Sequence, residues 1–248
     1  MDRPIIFSAP MVRALLAGRK TQTRRVIKLP TKTHSGGPIY ERPDMGGWEA
    51  TTHGGAGCFT IGKDGARQSV PELVGIWHQT TGTCVAAAYQ PGDRLYVREH
   101  WRSTPAYDDL APAEMGGDEP VLYIADDATL NWAEADGTRR GRHRQAMHMP
   151  RWASRVTLIV DDVRCQPLQD ISREDAIAEG LALASNAIEE FWRWPEPHHE
   201  NLWLSPPAAY RHLWNSLHGA DAWDANPWVV ALTFRVERGN IDNLGSAA

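Results

Sequence analysis

Gly18-Arg19-Lys20-Thr21-Gln22-Thr23-Arg24-Arg25 decides how this chain is read, because it joins a helix stop, a knot of cations and a β-forming run. Upstream, Pro4-Ile5-Ile6-Phe7 predicts a short strand, and Ser8 offers a hydroxyl N-cap to a helix with Pro10 in its first turn. Met11, Ala14 and Leu15 recur at the three-and-four spacing of one buried face. Gly18 then ends the helix, which leaves Arg19 and Lys20 at its C-terminal end. Downstream, Thr21 to Ile27 is rich in β-formers. An extended run there sends Thr21, Thr23 and Arg25 to one side and Gln22 and Arg24 to the other.

Further out, residues 31–91 are crowded with Gly, Thr and Pro, which predicts an elaborated loop or hairpin insertion and not a second core. Pro91-Gly92-Asp93 is a turn signal feeding a half-buried strand, Arg94-Leu95-Tyr96-Val97-Arg98-Glu99. Val121 to Ala125 and Val156 to Val163 are further strand candidates. Ser172 to Glu179 is a well-marked helix, with Ser172 as N-cap, Asp175 three positions on and Gly180 as its stop. Ala187 to Arg193 suits a short helix, Ser205 to about Leu217 a longer one, and Trp228 to Val236 a closing strand. Short strands at irregular intervals with helices between them suit an α+β protein, a small mixed β-barrel with flanking helices. The expected layout is one domain over residues 1–238, with an insertion at about 31–91 and a frayed tail at 239–248.

The bulk properties narrow the field. A chain of 248 residues that is 42% hydrophobic can bury a real core, which excludes disorder throughout. No apolar stretch approaches the roughly 20 residues of a membrane helix, and the N-terminus lacks a signal-peptide layout. Cys58, Cys84 and Cys165 form neither a disulfide framework nor a Cys-x-x-Cys pair. A cytoplasmic protein without a membrane partner is expected. The net charge of −5 argues against wholesale coating by nucleic acid, yet the charges are segregated. Arg3 to Tyr40 contains no carboxylate and many cations, and a second acid-free stretch holds Arg139, Arg140, Arg142, Arg144, Arg151 and Arg155. If the two meet in space they attract a phosphate or another anion; otherwise each is a solvated loop.

The run Gly18-x-Lys20-x-x-Thr23-x-Arg25 at the end of an N-terminal helix resembles the signature of the ASCH family, whose fold is a PUA-like barrel. Thr23, where many members carry Glu, is similar to the small bacterial branch that hydrolyses N4-acetylcytidine. Pro91-Gly92-Asp93-Arg94-Leu95, Ile171 to Leu181 and Pro227 to Arg235 follow in the family's order. The stretches Arg3 to Arg25 and His148 to Arg155 resemble longer ASCH proteins of phages and prophages. The resemblance implies Lys20 as a catalytic lysine, Thr23 as nucleophile and Glu179 as catalytic glutamate, with no cofactor and no metal. Its implied substrate is a modified pyrimidine base or nucleoside, and relative to the small enzymes it resembles, the stretches at about 31–91 and 185–205 are expected to be insertions.

That chemistry also stands without the family. A threonine hydroxyl attacks an amide once a base takes its proton, and a lysine serves if burial and nearby cations lower its pKa. Arg19, Arg24 and Arg25 are the candidate cations and substrate contacts, and Glu179 can pass a proton to the departing amine. Arg151-Trp152 and Arg98-Glu99-His100-Trp101 pair cations with aromatics able to stack on a base. Trp152, Arg151 and Arg155 are therefore expected at the mouth of the same cavity, and Glu99 as a group that orients a lysine. His143 with His148, and His198-His199-Glu200, lack the spacing of a helical metal site. An amidohydrolase is the first functional reading; a non-catalytic module that binds RNA or single-stranded nucleic acid is the second, and a nuclease the third.

Overall fold

The computed structural model describes residues 1–132, 140–185, 190–194 and 201–245. Its principal sheet is built from β1 (Asp2–Ile6), β2 (Gln22–Val26) and three strands from farther along the chain, while α1 (Ala9–Leu16) lies between β1 and β2. The segment from 31 to 91 supplies β3 (Trp48–His53), β4 (Phe59–Ile61), β5 (Arg67–Ser69), β6 (Leu73–His78) and β7 (Cys84–Ala86). After it come β8 (Arg94–Arg98), β9 (Trp101–Arg102), β10 (Val121–Tyr123), β11 (Thr129–Leu130) and the long β12 (Val156–Pro167). The C-terminal third holds α2 (Arg173–Ala178), β13 (Ala182–Ser185), β14 (Glu190–Arg193), α3 (Pro206–His218) and β15 (Trp228–Arg238).

The protein is α+β, with most of its regular structure in strands. The principal sheet runs β1-β8-β12-β15-β2, with β1 parallel to β8 and the other pairs antiparallel. Its spine is the β12–β15 ladder, bent by a bulge between Val160 and Asp162. Among the described residues no closed barrel forms: β1 and β2 are the two edges. The chain crosses between those edges through α1, whose Met11, Val12, Ala14 and Leu15 are buried in the common core. A side chain spans the gap, since Arg25 Nη2 donates to the carbonyl of Ile6 at 2.9 Å.

The core is sealed by Phe7, Leu95, Leu158, Leu232 and Phe234 from the sheet region and by Tyr210, Leu213 and Trp214 from α3. Residues 31–91 form the sheet β3-β6-β7 and the hairpin β4-β5, and Ile76 of β6 is fully buried in that same core. A smaller cluster around Trp101, Met115, Tyr123 and Met149 lies under β9, β10 and β11.

Two elements depart from the sequence expectation. Residues 190–193 are a strand and not a helix, because Phe191 and Trp192 pair with Ala184 and Leu183, and Trp192 also bridges to Trp203; residues 187–189 of the expected helix lie outside the described residues. The start of the expected frayed tail is docked: Ile241 is fully buried, and Asn240 Nδ2 donates to the carbonyls of Arg151, Trp152 and Ser154. Residues 246–248 lie outside the described residues, as do 186–189 and 195–200 of the expected insertion at 185–205.

Candidate active site

Two glycines fix the place where α1 ends against α2. Gly18 adopts φ +69°, which turns the chain so that the backbone amides of Arg19 and Lys20 both donate to the Ala14 carbonyl, at 3.0 and 3.1 Å. Gly180 adopts φ +109°, and a Cβ there would sit 3.2 Å from that of Ala14 and 3.3 Å from that of Lys20. The Thr21 amide then donates to the Ala178 carbonyl at 2.9 Å. This stitching sets Lys20 against Glu179, the residue that caps the C-terminus of α2.

Lys20 is completely buried. Its Nζ donates to Glu179 Oε2 at 2.7 Å and to the Glu179 carbonyl at 2.8 Å, and it stands 5.7 Å from the centre of the Phe7 ring. Burial holds the ammonium below the ordinary lysine value; the charge and hydrogen bond of Glu179 oppose this, and Arg25 and Arg24 reinforce it.

The alternation expected in β2 is present, but both faces are covered. On one face Arg24 donates to Gln22 Oε1 at 2.6 Å, to Asp175 Oδ2 at 2.7 Å and to Glu179 Oε1 at 3.1 Å. Gln22 in turn donates to Asp175 Oδ1 at 3.0 Å, and the Tyr210 hydroxyl to Glu179 Oε1 at 3.3 Å. Lys20 and Arg24 thus face Glu179 and Asp175, so the buried charges balance and each carboxylate has several donors. Desolvation acts to raise the Asp175 pKa, but hydrogen bonds from Gln22 and Arg164 and the charge of Arg24 hold it below the usual value. Burial pushes the Tyr210 phenol well up, and the Glu179 charge adds to it.

On the other face Arg25 Nη1 donates to Thr23 Oγ1 at 2.8 Å, while its guanidinium stacks 5.0 Å from the Phe7 ring centre. Thr23, Arg24, Arg25, Glu179, Tyr210 and His218 are the polar lining of one cavity of about 30 Å³, closed by Met11, Leu213, Trp214 and Leu217. Lys20 stands behind it, bonded to Glu179, and no hydrogen bond links Lys20 to Thr23. His218 stacks on Trp214 at 4.2 Å, and burial, then the Arg25 charge, lower its pKa.

The remaining expected site residues are elsewhere. Arg19 donates to the Gly180 carbonyl at 3.1 Å and serves the turn rather than the cavity. Glu99 does not orient a lysine: it is buried and doubly bonded to Arg155, at 2.8 and 2.9 Å, while burial raises its pKa against the pull of that arginine. Arg155 also pairs with Asp126 and stacks 4.0 Å from the Tyr123 ring. Arg151 pairs with Asp2 at 2.6 Å and with Asp242. Trp152 packs on the smaller cluster, against Gly117. None of these residues lines the Thr23 cavity: a backbone carbonyl holds Arg19, carboxylates hold Arg151 and Arg155, Arg155 holds Glu99, and the second cluster holds Trp152.

His143 stacks on His100 at 4.9 Å, and among the described residues no group of three His, Cys, Asp or Glu could hold a metal ion. His198, His199 and Glu200 lie outside the described residues. No described helix is long and apolar enough to cross a membrane. Asp175, Tyr210 and His218 were not singled out for the site from sequence. Only Asp175 carries a sequence signal, its place one helical turn before Glu179 on the same face. Comparisons with protein-family models, with curated proteins and with solved structures found no match.

Proposed function

We propose that this chain is a cytoplasmic amidohydrolase of the ASCH type that removes the acyl group from an N4-acylated cytosine base or nucleoside. The observation that carries the reading is the convergence of three separate elements: Thr23 and Glu179 line one cavity, and Glu179 holds the buried Lys20 behind it. On this reading the open sheet is a PUA-like barrel left unclosed between β1 and β2, and residues 31–91 and 185–205 are additions around it.

In the reaction, Thr23 Oγ1 attacks the acyl carbon while its proton passes by way of Glu179 to the uncharged amine of Lys20. The carbon–nitrogen bond then breaks as the same proton returns through Glu179 to the departing amine. Water attacks the acyl-threonine ester, which releases the carboxylic acid and restores the hydroxyl. The lowered pKa of Lys20 favours its role as base, and the hydrogen bond from Arg25 favours the alkoxide form of Thr23.

A cavity of about 30 Å³ has room for a water molecule, and it is far below the roughly 300–1,000 Å³ of ordinary ligand sites. Substrate therefore has to displace part of the lining, and the C-terminal turn of α3 with Leu217 and His218 is the part of it that ends at Gly219. The same small size favours the second reading, a non-catalytic module that holds nucleic acid on its surface. The test is incubation of the purified protein with N4-acetylcytidine, with cytidine and acetate followed by chromatography and single-stranded RNA binding measured in parallel. Release of both products is expected; RNA binding without any release would put the second reading first.

A further inference from the structure

Among the described arginines of the second basic stretch, the fold pairs some with carboxylates and leaves Arg142 and Arg144 without such a pair. Arg151 and Arg155 are paired with carboxylates, and Arg140 faces Asp127 at 3.4 Å. Arg144 is buried over the Trp101 ring and donates to the carbonyls of Tyr107 and Leu110, which leaves its Nε without a partner. The exposed guanidinium of Arg142 meets no carboxylate among the described residues.

Arg142, His143, Arg144, Gln145 and His148, with Pro112, line a pocket of about 400 Å³, within the range of small-ligand sites. No Asp or Glu is among the described lining residues. The nearest carboxylate in the contacts is Asp108, whose Oδ1 accepts the backbone amide of Arg142 at 2.7 Å and so fixes the turn that presents this residue. The backbone beneath is rigid: Arg144 and Trp101 exchange both of their backbone hydrogen bonds, and the Gly141 amide donates to the Ser103 carbonyl. His100, which stacks on His143, has a buried Nδ1 with no partner.

We propose that this pocket binds the phosphate group of a nucleotide or of a nucleic-acid strand. The Arg142 guanidinium, two imidazoles and the Gln145 amide give donors of the kind that grip phosphate oxygens, with no opposing carboxylate among the described lining residues. The pocket is linked to the candidate active site by direct contacts. Arg25 donates to the Ile6 carbonyl, Ile6 pairs with Arg98, and Arg98 Nη1 donates to the carbonyl of Met147, next to His148. The inference does not depend on hydrolysis.

Calorimetric titration with cytidine, cytidine 5′-monophosphate and a short single-stranded RNA tests it, using the parent, Arg142→Ala, His148→Ala and Arg142→Lys. Arg42→Ala, at an exposed pair with Asp44, is the control for loss of surface charge. The parent should bind the phosphorylated ligands more tightly than cytidine. Arg142→Ala and His148→Ala should each weaken that binding about tenfold, Arg142→Lys should recover part of it, and Arg42→Ala should change nothing. With RNA, loss of one phosphate contact should flatten the slope of log K against log salt by about 0.7. An effect on the monophosphate as well as RNA marks a mononucleotide site, and an effect on RNA alone marks a strand. Unchanged affinity and slope in Arg142→Ala and His148→Ala, or no preference for phosphorylated ligands in the parent, would overturn the proposal. Thr23→Val should bind as the parent does, which separates this result from failure of the hydrolytic reading.

Discussion

Lys20 is an amine enclosed by protein, and its behaviour with pH follows from that enclosure. Because burial holds its pKa below the ordinary lysine value of 10.5, its uncharged form is reached at a lower pH than in an exposed lysine. Hydrolysis should therefore rise with pH along a limb centred below 10.5, measured as initial rates at saturating substrate, and Lys20→Arg should abolish the activity because a guanidinium stays protonated. A rate independent of pH in the parent would remove Lys20 as the base. Thr23 contributes less to stability than to chemistry. Its hydroxyl accepts one hydrogen bond from Arg25, which also donates to the Arg24 carbonyl, so Thr23→Val should lower stability by only about 1 kcal/mol in urea unfolding. Lys20→Met should cost more, near the lower end of about 3–5 kcal/mol, since Glu179 loses its buried partner but keeps Arg24 and Tyr210.

At the level of elements, the site depends on where α1 and α2 stop. Gly180→Ala forces a side chain into a positive φ and against Lys20, and should destabilise the fold by about 1–3 kcal/mol while disturbing the Lys20–Glu179 pair. Asp175 ties α2 to β2, and the sign of its pH dependence follows from its pKa, which is held below the ordinary aspartate value of 3.8. The stability it adds is present above the unfolded value and is lost as pH falls through the folded one. Thermal melts of Asp175→Asn and the parent should differ at pH 7 and converge as pH falls below 3.8; a constant gap would contradict the account. These helix ends were legible in the sequence, because Gly18, Ser172 and Gly180 are local signals for local structure. Tyr210 and His218 were not, because they reach the cavity only through the packing of α3 on β2 and α2. The strand at 190–193 was missed for a similar reason: its partners Ala184 and Trp203 lie across chain turns that local propensity does not report.

Over the whole molecule, the pattern of charge was visible in the sequence and its use was not. The acid-free stretches suggested a continuous positive field, but Arg151 is neutralised by Asp2 and Asp242, and Arg155 by Glu99 and Asp126, all distant in sequence from them. Only folding could show which cations remain open. The closed barrel likewise could not be read from strand count and spacing, since closure depends on whether the edge strands β1 and β2 pair, and a helix and one arginine join them instead. Against this background the central claim concerns one oxygen atom, Thr23 Oγ1, and its removal is the direct measurement. Thr23→Val keeps the shape and β-propensity of the side chain, so the fold should survive and its melting temperature should stay close to that of the parent. Rates of cytidine release from N4-acetylcytidine should then be clear for the parent and at background for Thr23→Val. Equal rates from the two proteins would contradict the assignment of Thr23 as the nucleophile.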